Sequence, residues 1–315
     1  MKKGETNNGK INYISISNKK GVPKTNVTQA KLVTAHGLDG DAHAGDWHRQ
    51  VSLLAQESID KIRAKGVDVS GGAFAENITT WGVDIPNAKV GEHILLDTGV
   101  ELVVSQIGKV CHARCSIYKL SGDCVMPREG IFAEVLKGGE IRVGSPVETV
   151  AKKGFSVGLI TLSDRACHGV YPDETGPAIE RYLKENLAIS YVRKELVPDE
   201  EKRLELILTD FCDIQKLDLI ITNGSTGASP RDIAPEALLN VITRRLPGYE
   251  EAMRAKSREK TINAIISRAV CGLRGSSLII SVPGSPKAAL ENLEAVLGAV
   301  EHTIKKAQGD ETSCG

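Results

Sequence analysis

The chain has 315 residues, enough for two domains of ordinary size, each able to bury its own core without disulfide or metal staples. Its 40 acidic and 40 basic residues cancel and only 4% of residues are aromatic, which argues against a nucleic-acid footprint, an anionic-membrane surface or a stacking platform for single strands. No segment stays apolar for the roughly 20 residues of a membrane span, the N-terminal MKKGETNNGK lacks the apolar core of a secretory signal, and the seven cysteines form no small-domain framework, so the expected setting is the cytoplasm with reduced thiols.

Up to about Val150 the pattern is short apolar runs separated by Gly turns, which predicts a mainly β domain, barrel-like, over residues 1–150. Ile11–Ser17 alternates as a strand should. Residues 57–65 suit a helix, and residues 94–97 and 101–107 flank Thr98-Gly99 as a hairpin. Ala151-Lys152-Lys153-Gly154 is a polar break and a candidate linker.

From Phe155 to the end the texture becomes strand, loop, helix. Phe155–Leu162 predicts a buried strand, Ile179, Tyr182, Leu183 and Leu187 a helix, and Leu196 the close of a second strand. Leu204, Ile207, Leu208, Phe211 and Cys212 form a helical stripe that Asp199 is expected to open. Residues 217–222 and 278–282 predict two more strands. Ser285 as N-cap and Pro286 at the first helical position start a last helix striped by Leu290, Leu293, Leu297, Val300 and Ile304. Strands alternating with helices imply a three-layer α/β domain over residues 155–315, its sheet mostly parallel and covered on both faces.

In such sheets ligands bind at the loops after the strands' carboxyl ends. Three of these loops are unusual. Ser163-Asp164-Arg165 follows the first strand. Thr222-Asn223-Gly224-Ser225-Thr226-Gly227 follows the middle one and runs into Ser229-Pro230-Arg231-Asp232. Pro283-Gly284-Ser285-Pro286-Lys287 follows the last. Glycines let backbone approach a phosphate, hydroxyls and free amides donate to its oxygens, and a neighbouring carboxylate suits magnesium. The same residues also suit plain turns, Asp199 and Asp232 also suit helix caps, and no Gly-Lys-Ser/Thr makes a P-loop. Spacing alone reaches an anion-binding site.

In order along this half stand VGLITLSDRACHGVYPDETGP, LVPDE, TNGSTGASPRDIAPEAL, PGYEEAMR and SRAVCGLRGSSLIISVPGSPKA, followed by the final helix. Together they resemble the MogA-type molybdopterin adenylyltransferases, which share their fold with pterin-binding MoaB relatives and with MoeA-type proteins. The resemblance implies that molybdopterin's terminal phosphate attacks the α-phosphorus of ATP, giving adenylylated molybdopterin and pyrophosphate, with Mg²⁺ as cofactor. It assigns Asp199 and Asp232 to metal and nucleotide positioning, with Asp232 on the metal. Ser163, Asp164, Arg231 and the loop 222–227 would bind pterin and phosphates, with Ser285 and Lys287 at a helix N-terminus. It also implies a homotrimer through this domain. Where the family usually carries the second Gly of a pair, this chain has Ser225, whose side chain would either narrow the approach to phosphate or supply a hydrogen bond.

The first half holds two dense stretches, GLDGDAHAG-WHRQVSLL from Gly37 and GDC-MPREGIFA from Gly122. Cys111, Cys115, Cys124, His43 and His48 fit no common zinc spacing, because three residues rather than two separate Cys111 from Cys115. Small buried thiols with surface histidines are the plain reading. A reactive Cys124 would need Arg128 or Arg114 beside it to lower its pKa. The stretches resemble the MOSC domain, named for molybdenum cofactor sulfurases, with a β-barrel-like fold and a key cysteine matched by Cys124. The resemblance implies sulfur or molybdenum-cofactor handling through Cys124, with His43, His48, Arg49 and Arg128 as anion contacts and a sulfur donor and molybdenum-insertion proteins as partners. Cys124 is then the thiol expected to alkylate fastest. The combined expectation is a bifunctional protein of molybdenum cofactor assembly. A pterin carrier without ATP turnover, and a cofactor domain reducing N-hydroxylated compounds, are the competing readings.

Overall fold

The computed structural model describes residues 9–96, 99–109 and 116–311. The chain divides into two compact units between Lys153 and Gly154. No helix among the described residues is long and apolar enough to cross a membrane.

The N-terminal unit contains β1 (Gly9–Ile16), β2 (Thr25–Val27), β3 (Gln29–Val33), β4 (Gly37–Leu38), β5 (Val51–Ala55), α1 (Gln56–Arg63), β6 (Ile78–Trp81), β7 (His93–Leu96), β8 (Val100–Ile107), α2 (Ser116–Ser121), α3 (Met126–Glu129), β9 (Ile131–Lys137), β10 (Gly139–Arg142) and β11 (Pro146–Val150). Among the described residues, seven strands close into a ring in the order β11-β7-β8-β9-β5-β6-β1, with β1 pairing back to β11. Closure removes free edges. One pairing in the ring, β5 with β6, is parallel. Simple alternation would send Ile11 and Ile14 to opposite faces, yet both are fully buried in the barrel core. A register shift between Ile11 and Tyr13 against β6 accounts for it, because one extra residue inverts the facing of the residues after it. Strands β7 and β8 pair antiparallel as expected; of their connection, Asp97 and Thr98 lie outside the described residues.

The C-terminal unit contains β12 (Phe155–Leu162), α4 (Asp164–Cys167), α5 (Thr175–Asn186), β13 (Ile189–Val197), α6 (Glu201–Thr209), β14 (Leu219–Asn223), α7 (Ala234–Val241), β15 (Arg244–Arg245), α8 (Pro247–Arg258), β16 (Cys271–Arg274), β17 (Ser277–Val282) and α9 (Pro286–Ala307). The described strands form a six-stranded sheet in the order β13-β12-β14-β17-β16-β15. The first three pairings are parallel, and the last two form an antiparallel margin. The sheet is therefore mixed: β16 makes a short return into β17 and needs no crossover helix. Central strands covered on both faces explain the near-continuous burial along β12, β14 and β17, most of whose residues are apolar. One face carries Leu159, Ile221 and Ile280 against Ile179 and Leu183 of α5, Met253 of α8, and Leu293, Val300 and Ile304 of α9. On the other face Gly158 leaves room for the Phe211 ring, which a Cβ there would meet at 2.4 Å.

Two helix starts differ from expectation. Glu200, not Asp199, is the N-cap residue of α6, and Ile233, not Asp232, stands before α7. The α6 stripe runs on into a π-helical turn, Asp210–Ile214, which carries Phe211 and Cys212 inward. Asp199 is drawn into a long-range bond with the Asp164 amide, and Asp232 into a local bond with the Ser229 amide.

Candidate active site

The parallel strands β12, β14 and β17 end on one side of the sheet, and their loops surround a cleft of about 560 Å³. Its lining includes Ser163 and Asp164 after β12, Asp199 after β13, Asn223, Gly224, Ser225 and Asp232 after β14, and Gly284 and Pro286 after β17. The loops are packed hard together. Gly224 takes φ +97°, and a Cβ there would stand 2.4 Å from the Leu162 carbonyl oxygen. Only glycine meets both demands.

Asp164 and Asp199 are coupled backbone to side chain. The Asp164 N–H donates to Asp199 Oδ2 at 3.2 Å, and the Asp199 N–H donates to Asp164 Oδ1 at 3.0 Å. Arg231 reaches the second oxygen of Asp164 through Nε at 3.1 Å and through a shorter contact of its terminal nitrogen. The Arg231 hydrogen bond, with the Asp199 amide next, holds the Asp164 carboxyl below the usual carboxylate range. Ser163 caps α4 by accepting from the Ala166 N–H at 3.1 Å and bonds to the Tyr171 hydroxyl at 2.9 Å.

Asp232 Oδ2 accepts from the Ser229 N–H at 2.7 Å, which makes it a loop brace rather than a helix cap. Ser225 adopts φ +56°, the left-handed conformation that the more usual glycine would take freely. Its hydroxyl donates to the Arg231 carbonyl at 3.2 Å and accepts from the Ile233 N–H at 2.8 Å. The side chain thus turns back onto the start of α7 and supplies a hydrogen bond there.

Other expected contacts are redistributed. Thr222 is buried with its hydroxyl unpartnered, and Asn223 donates to Thr161 Oγ1 at 3.0 Å while its own Oδ1 is buried without a partner. Thr226 and Gly227 line a second cleft of about 260 Å³ instead. Ser285 caps α9 by accepting from Ala288 N–H, and Lys287 is exposed; neither lines the main cleft, because the helix start turns Gly284 and Pro286 toward it. Several participants were not singled out from sequence. Asp173 lines the cleft and accepts from Thr161 Oγ1 at 2.7 Å and from the Gly176 N–H at 2.9 Å. Arg165 lies over the Tyr171 ring at 4.8 Å. An Asp two residues before a Thr-Gly helix start carries a capping signal that would have found Asp173; Arg165 has none.

In the N-terminal unit, Cys124 is 8% exposed and packs with Leu54, Ile59, Val125, Met126 and Phe132. Its loop is braced on α1: Asp123 bonds Lys65 at 2.7 Å and Arg128 at 2.9 Å, while Glu129 bonds Ser58 at 2.5 Å and Lys61 at 2.8 Å. Arg128 is 61% exposed and spends its guanidinium on Asp123, whose carboxyl Lys65 and Arg128 hold far below the usual range. Among the described cysteines Cys167 is the exposed one, and Cys124 is buried in an apolar cluster, which weighs against the expectation that Cys124 alkylates fastest.

Arg49 stacks on Trp47 at 4.8 Å and faces Phe132 at 5.6 Å, which brings it to the margin of the Cys124 cluster. His48 meets Gln106 at 2.9 Å. His43 lies beside a buried ion pair, Lys24–Asp41 at 2.5 Å, both side chains 1% exposed. Burial, with the Lys24 charge next, lowers the His43 pKa and favours neutral imidazole. Lys24 was invisible in the sequence, where it reads as one more solvated lysine. Cys111 and Cys115 lie outside the described residues, and among those described no three His, Cys, Asp or Glu side chains cluster to hold a metal.

Residues 158–302 match the model of the probable molybdopterin binding domain, and residues 39–148 match that of the MOSC domain. The C-terminal half is similar to proteins named molybdopterin adenylyltransferase. One from Helicobacter pylori is 41% identical over 155 residues, 49% of this chain and 88% of that protein. One from Escherichia coli is 40% identical over 149 residues, 47% of this chain and 76% of that protein. Through its C-terminal unit the chain belongs to the molybdopterin adenylyltransferase family, a family of nucleotidyltransferase enzymes, and it joins to that unit a MOSC domain.

Proposed function

We propose that the C-terminal unit adenylylates molybdopterin with Mg-ATP. The carrying observation is the convergence of Asp164, Asp199, Asn223, Gly224 and Asp232 on one cleft at the strands' carboxyl ends. An oxygen of molybdopterin's terminal phosphate bonds to the α-phosphorus of ATP. The bond from that phosphorus to the bridging oxygen breaks, and pyrophosphate leaves with the electron pair. The attacking group is already an anion, so no general base is required, and the protein's task is positioning and charge neutralisation. The donor set fits magnesium: Asp199 and Asp232 offer hard carboxylate oxygens, and too few of the described carboxylates cluster to bind the ion without help from substrate phosphates. When bound there, magnesium would neutralise phosphate charge. Arg231 pairs with Asp164 and Arg165 lines the same cleft, which puts fixed positive charge at its margin.

Within this reading the N-terminal unit handles sulfur or the cofactor through Cys124, with a sulfur donor and molybdenum-insertion proteins as partners, and the chain assembles as a homotrimer through its C-terminal unit. The decisive assay supplies the full chain with ATP, Mg²⁺ and molybdopterin. Pyrophosphate and adenylylated pterin are expected together. Pterin binding without pyrophosphate release would make the protein a carrier. For Cys124, an alanine variant that supports cofactor maturation fully would remove the thiol role.

A further inference from the structure

The loop from Gly227 to Asp232 leaves the end of β14, makes an exposed excursion through Ala228–Arg231, and returns to place Asp232 in the cleft. Its own bonds, Ser229 N–H to Asp232 Oδ2 and Asp232 N–H to Ser229 O, shape the turn, and Arg231 ties the excursion to Asp164 and to the Ser225 hydroxyl. Arg268 fixes the loop's entry at Gly227 and its exit at Asp232. Its Nε donates to the Gly227 carbonyl at 2.7 Å and one terminal nitrogen to the Asp232 carbonyl at 2.7 Å. The other terminal nitrogen pairs with Glu236 in the first turn of α7, and its backbone N–H donates to the Thr226 carbonyl at 2.9 Å. One planar group thus joins the loop's entry, its exit and the helix it leads into.

We propose that Arg268 is a positioning residue, which sets the Asp232 carboxylate in the cleft by clamping the carbonyls of Gly227 and Asp232. The kinetic side of this proposal rests on the adenylyl-transfer reading. The clamp demands arginine: three acceptors in three in-plane directions match a guanidinium fork, whereas an ammonium on a flexible stem is a point donor. Arg268 is not among the residues that line the main cleft and reaches it through the loop that carries Asp232.

The test uses the full chain with R268K, R268A and E236Q, following pyrophosphate release and amide hydrogen exchange. R268K is expected to lower kcat by roughly 10-fold or more, the range seen when an outer partner of a metal-holding group is removed, with KM for ATP changed by less than about threefold. Exchange is expected to quicken at Ser229 and Asp232 while the sheet amides of β12 and β14 stay protected. E236Q, which leaves both carbonyl bonds available, is expected to lose less than R268K. An R268K protein with wild-type kcat and unchanged loop exchange overturns the proposal. So does exchange that quickens throughout the C-terminal unit, since the role is then general stability, or an E236Q loss equal to that of R268K. A wild-type chain that releases no pyrophosphate sinks the adenylyl-transfer reading instead, and the loop exchange of R268K still decides the clamp.

Discussion

At the residue scale, Asp232 and Ser225 show how one loop separates chemistry from architecture. Asp232 is held by the Ser229 amide and lines the cleft, so Asp232→Asn keeps the loop's shape while removing its charge. Pyrophosphate release is expected to fall about 100-fold, with pterin binding and the unfolding midpoint near wild type; a fully active variant would sink the site assignment. Ser225 balances two opposing terms. Its left-handed backbone costs about 1 kcal/mol, and its bond to the Ile233 amide at the start of α7 returns about 1 kcal/mol. Ser225→Gly should therefore leave the urea midpoint almost unmoved, whereas Ser225→Ala keeps the strain, loses the bond and should cost about 1 kcal/mol. A larger loss in the glycine variant would reverse that balance. The hydroxyl's direction was not readable from the sequence, which identified the departure from the usual glycine but not that the side chain bonds to the Arg231 carbonyl and the start of α7.

At the element scale, the site is a junction of strand ends, and its tolerance is set by backbone approach. A methyl at Gly224 meets the Leu162 carbonyl and a disfavoured φ together. Gly224→Ala should cost about 2 kcal/mol or more in unfolding free energy, an effect that differential scanning calorimetry would read directly. The β12 loop is tied to the β14 loop by Asp164–Arg231, and pH tests that tie. The Asp164 pKa is lowered in the fold by Arg231, so its stabilisation is complete above the ordinary carboxylate range and disappears as pH falls through the folded value. Wild type should exceed Asp164→Asn in stability at pH 7, and their denaturation midpoints should converge in acid. A gap that persists unchanged at about pH 2, below the ordinary carboxylate range, would mean that packing, not charge, makes the difference. The strands β12, β14 and β17 were legible because each is a short apolar run with loop-forming residues at its end. The start of α6 was not, since Asp199 carries the right cap chemistry but is drawn away by the Asp164 amide.

At the scale of the whole molecule, a probable molybdopterin binding domain and a MOSC domain occur in one chain. Light scattering is expected to give a mass three times that of the chain, and a monomer would remove the trimer from the proposal. Thiol labelling of the folded protein should mark the exposed Cys167 before Cys124, which is 8% exposed. What the sequence by itself determined was the change from barrel texture to strand-loop-helix texture, the buried central strands, and the loops rich in Gly, Ser, Thr and Asp. These are carried by periodicity and by neighbours a few positions apart, which local physics reads. Only the tertiary structure decided which loop residues face the cleft, that Lys24 pairs with Asp41 inside the barrel unit, that Cys124 is buried in an apolar cluster, and that Arg268 clamps carbonyls 36 and 41 positions away. Such contacts depend on strand order and on the hydrogen-bond partners left at each strand end, and no pattern of neighbouring residues encodes them.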